Sequence, residues 1–583
     1  MRRLHRLPFL VVCLVGIGLV ACPDTAIDDA PGEGEGEGEG EGEGEGEGEG
    51  EGGGDPLAGL VINEVGCLGD DDFVELLNTG DQAVSLAGLF VGDRPEPARA
   101  EALSGALAPG ARVVVTPTRG IACDETVRLV QQVAGFVVVR SEVVLPGRLR
   151  DATFGRLPDG SGAFEVTLPT PGVENVPWED RSAVLFDPFA PPWRIDVTLE
   201  AEAEAALRSP ATQFEYVTAT FALSGPGLED EVPLIVGVRK KGKVGSNRSF
   251  DAKMAMKIDF DRFVPGQRYR GLHKLNLNNL VQDPSTVHEV MAYRLYAAAG
   301  IPAPRTGWAT VFVNGVEFGT YLMLESFDDD AFLDAALPGG TDALVEGGLL
   351  TTACCDFMDL LPHEIGGLEV DRGDAVVVDA DLRALAALIA SAPSTTVYER
   401  SLHVVDWDQA LTVMAMEQVI GHWDGYQISP NNYYLHRGLD DPRWRLISGG
   451  VDQTFAPEGR VNIVYNGAGI LFRRCRESEA CRALYNEKLQ YAVDVVRDAL
   501  ATGFDTFTRD LAAHNVATFS TARLERSLDG VPARAEASLA YLVERIFILR
   551  QALACDGLPD GSACVVDDLV GTCGRYPGGF GCR

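Results

Sequence analysis

Two aspartates and a pair of asparagines stand close enough in the chain to act on one charged group. Asp424 lies just past a helical stretch, Asn431 and Asn432 follow a short loop, and Asp452 comes just beyond a second strand. Carboxylates and carboxamides are hard oxygen donors that suit Mg²⁺, and a carboxylate can also take the proton of an attacking hydroxyl. Upstream, IVGVRKKGKVGSNRSFDAKMAMKIDF puts a Gly-containing basic loop ahead of an alternating strand. There Met254, Met256, Ile258 and Phe260 share one face and leave Lys253, Lys257 and Asp259 on the other, so one face packs while the other can meet an anion.

These side chains need elements to hold them. The run DWDQALTVMAMEQVI is apolar nearly all round, which predicts a buried helix over 407–420 that delivers Asp424 into a loop. Strands expected over 433–436 and 444–448 form a hairpin that brings the asparagines towards Asp452. On the amino-terminal side a helix starts either at Asp283-Pro284 or at Thr286, with Glu289 completing a capping box. Val287, Val290, Met291, Leu295 and Ala298 supply its apolar stripe, and Gly300 with Pro302 ends it. Capping is the favoured role for Glu289; pairing with a phosphate-binding lysine is the alternative. Two strands, VFVNG and FGTYLMLE, then turn at Asn314-Gly315. A strand, a helix and a hairpin in that order is what the small lobe of a kinase needs. Helical periods over 480–500 and 531–554 suit a larger helical lobe.

Other chemistries find less support. Gly237 to Lys243 has the spacing of a P-loop, but Val244 stands where a magnesium-binding Ser or Thr is required, and a strand follows in place of a helix. No GxSxG elbow and no HExxH occurs. With Cys13 and Cys22 of the signal region set aside, ten cysteines remain, an even number that argues for disulfides in an exported chain. Sequence proximity pairs Cys67 with Cys123, Cys475 with Cys481, Cys555 with Cys564, and Cys573 with Cys582, and leaves Cys354 and Cys355 unassigned. Zinc is disfavoured because no CxxC pair or nearby histidine set is present.

Between 58 and 176, short alternating segments are separated by Gly, Asp and Pro turns, which reads as an all-β domain. The strings LVINEVGCLGDDDFVELLNTGDQAVSLAGLFVGD, LAPGARVVV and LPTPGVEN resemble the lamin-tail domain, an immunoglobulin-like sandwich, which implies an accessory or interaction module. Asn63, Glu64 and Glu75 within it read as residues that fix strand-end turns. Further on, KKGKVGSNRSF, KMAMKIDF, LNLNNLVQDPSTVHEVMAYRLYAAAGIPAPR, VFVNGVEFGTYLMLE, DGYQISPNNYYLH and WRLISGGVDQTF, in that order, resemble the CotH family of spore-coat-type atypical protein kinases. That resemblance implies an α+β, divergent kinase-like fold that uses ATP and Mg²⁺ to phosphorylate Ser or Thr on proteins. It also implies roles. Lys257 would contact phosphate, with Lys253 and Arg248 as further contacts, and Glu325 would lie near the adenine-side hinge. Asp424 would serve as base or metal organiser, Asn431 or Asn432 as a metal ligand, and Asp452 as the metal-binding aspartate.

The chain as a whole is multidomain. Its 583 residues include 49 Lys+Arg against 86 Asp+Glu, a formal charge of −37, which excludes nucleic acid as a default partner because phosphate binding needs a basic footprint. Residues 1–21 read as a secretion signal, an Arg-rich start and a short apolar run, and Leu19-Val20-Ala21-Cys22 resembles a bacterial lipobox with Cys22 lipidated. Residues 22–57 hold a strict Gly-Glu repeat that has no apolar face and reads as a disordered tether. Then come the sandwich (58–176), the kinase-like body (177–554) and a cysteine-rich, disulfide-stapled tail (555–583). The expectation is an enzyme held by a lipid anchor at the extracytoplasmic face of a bacterial cell envelope, acting on a protein substrate. The alternative is a catalytically idle surface protein that uses the same fold to bind or adhere to a partner.

Overall fold

The computed structural model describes residues 55–582 apart from 56, 68–71, 95, 122–124, 146–151, 229–231, 243, 338, 349–356, 456–464, 568 and 577–578. The leader, Cys22 and the Gly-Glu repeat lie outside the described residues, as do Cys123, Lys243, Cys354 and Cys355. Among the described residues, no helix is long and apolar enough to cross a membrane.

The described part of 58–176 consists of strands and turns. Ala163–Thr167, Thr153–Leu157, Leu60–Gly66, Phe73–Asn78 and Arg112–Val115 form one sheet in that order. Glu101–Ala102, Leu89–Gly92, Thr126–Val133 and Phe136–Val144 form a second, and the pairings in both are antiparallel. Alternation puts Ile62, Val74 and Leu76 of the first sheet and Val91, Val127 and Leu129 of the second into one core. Glu64 and Glu75 tie down the segment after the last strand. Glu64 accepts from the Thr170 amide at 2.9 Å, and Glu75 from the Gly172 amide at 2.6 Å and from Asn63 Nδ2 at 2.9 Å.

Seven strands then close into a barrel in the order Trp193–Leu199, Val217–Ser224, Leu234–Lys240, Met256–Asp259, Lys274–Asn278, Val316–Glu325 and Thr306–Val313. The seam between the first and last of these is parallel, and the other pairings are antiparallel. Val238, Met256, Ile258, Leu275 and Leu277 fill the interior. Because side chains alternate, the cross-strand neighbours Arg239, Lys257 and Asn276 share the outer face. The helix His288–Ala298 lies between the fifth strand and the hairpin, which turns at Asn314 and Gly315, both with positive φ.

The rest packs on a separate core. A sheet in the order Glu369–Arg372, Thr341–Gly347, Tyr433–Gly438, Arg445–Ser448 lies beside the helix Trp407–Ile420, which is buried on every side. The long helices Glu479–Ala501 and Val531–Leu553 pack against that helix.

The cysteine pairings need one correction. Cys475 and Cys481 are bonded, stapling Ile470–Glu477 to the start of the next helix. In the tail, however, Cys555 bonds Cys573 and Cys564 bonds Cys582, each pair 18 residues apart. Strands Ala563–Val566, Leu569–Tyr576 and Gly579–Cys582 fold back on one another and gather all four sulfurs into one small core, so nearness along the chain no longer decides the pairing. Cys67 is also disulfide-bonded.

Candidate functional site

The helix Trp407–Ile420 ends where Gly421 turns left-handed at φ 71°. From inside its last turn the buried Glu417 reaches past the end. It accepts the amides of Tyr426 at 3.2 Å and Gln427 at 2.8 Å and the Ser448 hydroxyl at 2.9 Å. One carboxylate thus ties the 421–427 loop to the neighbouring strand and positions Asp424 between them.

Asp424 accepts from Asn431 Nδ2 at 3.1 Å and from Asn432 Nδ2 at 3.0 Å. Burial pushes its carboxyl up, and the two amides draw it partly back. The hairpin that carries the asparagines closes tightly: the Gly449 amide donates to the Asn432 carbonyl at 2.8 Å. Gly450 sits at φ +57°, and a Cβ there would stand 2.5 Å from the Asn432 side chain, so both the backbone angle and the space call for glycine. The next turn of chain brings Asp452 within electrostatic reach of Asp424. The carbonyl of Asp452 accepts from His288 Nδ1 at 3.1 Å, which ties this turn to the start of the helix His288–Ala298.

That start is capped by Asp283, which accepts from the amides of Ser285 at 2.9 Å, Thr286 at 3.0 Å and His288 at 2.9 Å. Glu289 is therefore released from the capping role that the spacing suggested. Its carboxylate accepts from Asn278 Nδ2 at 2.7 Å, and Asn278 Oδ1 accepts from Lys241 Nζ at 2.8 Å. One asparagine on the barrel thus orders a half-buried lysine against a buried glutamate. Burial pushes the Lys241 ammonium down against the pull of Glu289, Glu346 and Asp452. Burial also pushes Glu289 and Asp452 up; the charge of Asp452 adds to the rise at Glu289, and Asp283 and Asp424 add to the repulsion at Asp452.

The expected cations lie in different places. Lys257 is on the outer barrel face and within reach of Lys241, but its Nζ lies 2.8 Å from Asp328, which also holds Lys274 at 2.7 Å. Although burial opposes it, these two ammonium groups hold the Asp328 carboxyl well below the usual range. Lys253 donates to the Thr320 carbonyl at 2.5 Å and lies over the Tyr321 ring; burial pushes its amine down to about 7. Arg248 pairs with Glu525, at 2.9 Å from Nη2 to Oε2. Glu325 accepts from the guanidinium of Arg305 at 2.6 Å and from its amide at 2.8 Å. Asp424, Asn431, Asn432 and Asp452 therefore come together, while Lys257 is taken up by Asp328, and Arg248, Lys253 and Glu325 make their contacts elsewhere.

Lys241, Asn278 and Asp283 were not singled out for chemistry from the sequence. Lys241 stands in KKGKVGSNRSF, but it also falls inside the P-loop-like spacing that a missing Ser/Thr eliminates, and it drops from view with that motif.

The donor set suits a hard dication. It consists of oxygen atoms alone, and the mutual repulsion around Asp452 would be relieved by positive charge between the carboxylates. On the barrel wall beside Lys257, the buried Asn276 Oδ1 has no partner among the described residues, a polar atom that a bound molecule could satisfy.

Residues 238–501 match the family model described as CotH kinase protein. Invasin CotH2 of Rhizopus delemar is 23% identical over 260 residues, covering 41% of this chain and 43% of that protein. Invasin CotH3 of the same fungus is 23% identical over 196 residues, covering 31% of this chain and 32% of that protein. The chain thus spans less than half the length of these relatives. The similarities support the CotH family, and Lys241, Glu289, Asp424, Asn431, Asn432 and Asp452 all lie inside the matched region.

Proposed function

We propose that the kinase-like body transfers the γ-phosphoryl group of Mg·ATP to a Ser or Thr hydroxyl of a protein substrate. The observation that supports this most directly is a lysine, ordered through Asn278 against Glu289, within electrostatic reach of Asp452, which in turn lies within reach of Asp424. Asp452, with Asn431 or Asn432, would hold Mg²⁺; the bound Mg·ATP brings the group to be transferred and offsets the charge that gathers on it. Lys241 presents its ammonium to phosphate oxygens, and Asn278 keeps that ammonium aimed. Asp424, made more basic by burial, takes the proton of the acceptor hydroxyl on a carboxylate oxygen as the new O–P bond forms and ADP leaves.

Incorporation of labelled phosphate by the purified chain tests this. Asp452→Asn and Asp424→Asn should each lower transfer by about a hundredfold or more with the melting temperature kept. Undiminished transfer by Asp452→Asn would refute the assignment. Calorimetric titration with Mg·ATP gives a second reading that does not depend on finding the acceptor.

The setting we propose is extracytoplasmic, with Cys22 lipidated and the chain held at a bacterial envelope. Disulfides such as Cys475–Cys481 and Cys564–Cys582 suit an oxidising compartment. A second reading is favoured by the relatives' names, which are those of invasins: a surface protein that uses this fold to bind a partner without transfer. It predicts no label incorporation, and partner binding that is indifferent to both aspartate substitutions.

A further inference from the structure

We infer that a phosphoryl group binds in the cavity between the loop 279–286 and the segment 523–528, held by Lys253, Arg523 and Arg526. The cavity has about 380 Å³ of empty space, part of it open to solvent, which is in the range of small-molecule sites. Lys241 is not among the residues that line it, so the inference does not rest on phosphoryl transfer at Asp424 and Asp452.

Three cations line this cavity, and among the described residues none of them forms a salt bridge with a carboxylate. Lys253 is only 2% exposed, yet its ammonium donates to the Thr320 carbonyl and lies over the Tyr321 ring, both of them uncharged. Arg523 lies over the Phe318 ring and gives Nη1 to the carbonyls of Ala252 at 2.7 Å and Phe250 at 3.2 Å. Arg526 is exposed. The two carboxylates at the cavity are already matched. Glu525, whose charge reaches Lys253 and Arg526, is held by Arg248 at 2.9 Å, and Asp283 has its oxygens on the amides of Ser285, Thr286 and His288.

In a chain of formal charge −37, a cavity left positive in this way selects an anion. Burying a cation without a counter-charge is costly, and an anion beside Lys253 removes that cost and holds its amine in the charged form against burial. A phosphoryl group carries up to two charges on three acceptor oxygens, which suits two guanidinium forks and an ammonium better than a single carboxylate does. The backbone at Lys253 is already set, because Asn279 Nδ2 donates to the carbonyls of Ser246 and Lys253 at 2.8 Å each. A bound phosphoryl group joins the segment 523–528 to the loop that leads into the helix carrying Glu289.

Calorimetric titration of the full chain with inorganic phosphate, without Mg²⁺, should saturate with a Kd below about 1 mM. Arg526→Glu changes an exposed position and keeps the fold, and it should weaken binding at least tenfold; Lys253→Met should do the same. Lys241→Met should bind phosphate as the parent does. The source of the group is read by competition with a peptide bearing one phosphoserine: displacement of phosphate assigns the cavity to phosphorylated chains, and phosphate binding without displacement assigns it to the free ion. A parent chain that does not saturate would overturn the inference. So would phosphate binding that Arg526→Glu leaves unchanged or that Lys241→Met abolishes, or displacement by the same peptide with plain serine.

Discussion

Lys241 and Lys257 bring the same charge to the same side of the barrel, yet their surroundings give them different parts. Lys257 is locked to Asp328, with both side chains about nine-tenths covered, and its removal would leave a buried carboxylate with Lys274 as its remaining cation. Breaking such a pair costs about 1–3 kcal/mol when one partner remains. Lys241 meets Glu289 through Asn278 and makes no direct ion pair among the described residues, so Lys241→Met removes a charge without orphaning a strongly paired one. Lys257→Met should therefore lower the melting temperature by several degrees, whereas Lys241→Met should change it little and weaken Mg·ATP binding instead. Differential scanning calorimetry and nucleotide titration on the two variants separate the roles, and the opposite pattern would exchange them. The sequence shows both lysines but not this difference, because what distinguishes them is Asp328, 71 residues beyond Lys257. Asp424, Asn431, Asn432 and Asp452 were legible because one hairpin of short span brings them together. The roles of Arg248, Lys253 and Glu325 rest on the family resemblance, and their partners Glu525, Thr320 and Arg305 lie far away in the chain or across a strand pair.

At the scale of elements, local pattern reads well and long-range closure does not. The helix Trp407–Ile420 is visible as an all-round apolar run, and the hairpin after His288–Ala298 as alternation about an Asn-Gly turn. The parallel seam between Trp193–Leu199 and Thr306–Val313 joins residues more than 100 positions apart and leaves no local trace, so the barrel could not be foreseen. Polar residues inside apolar elements are also informative. Glu417 is buried in a helix where a charge is unfavourable, and its use is to tie down the loop that carries Asp424. Burial pushes its carboxyl up to about 7 from the ordinary 4.5, against the pull of its hydrogen bonds. Between about pH 4.5 and 7 the folded chain therefore binds more protons here than the unfolded chain, and stability falls as pH rises through that window. Glu417→Gln keeps an acceptor and removes the titration. Denaturant melts at pH 5 and 7.5 should show the parent losing more stability on the way up than the variant; an equal loss in both would remove Glu417 from this role.

Over the whole molecule, three bodies hold together by one means and the tail by another. The sheet-rich amino-terminal part, the barrel and the helical lobe each own an apolar core. The tail after Cys555 does not: its interior consists of the four cysteines, with Ala554 and Val566 packed against them. So small a core cannot offset the entropy of ordering three strands, and each cross-link supplies about 2–4 kcal/mol by restricting the unfolded chain. The interlocked pairing strengthens the dependence, since cutting either bond frees one end of a loop that the other bond still spans. Mild reduction should therefore open residues 556–582 to protease and to hydrogen exchange while the barrel and helical lobe stay protected. Phosphate transfer and nucleotide binding should survive, because Lys241, Asp424 and Asp452 are placed by hydrogen bonds and packing alone. Loss of nucleotide binding in step with tail cleavage would instead make the tail a brace for the helix Val531–Leu553, whose Ser538 lies 2.8 Å from His288 Nε2. Through that histidine a loosened helix would reach the carbonyl of Asp452, so the two outcomes decide whether the tail acts on its own or as part of the site's support.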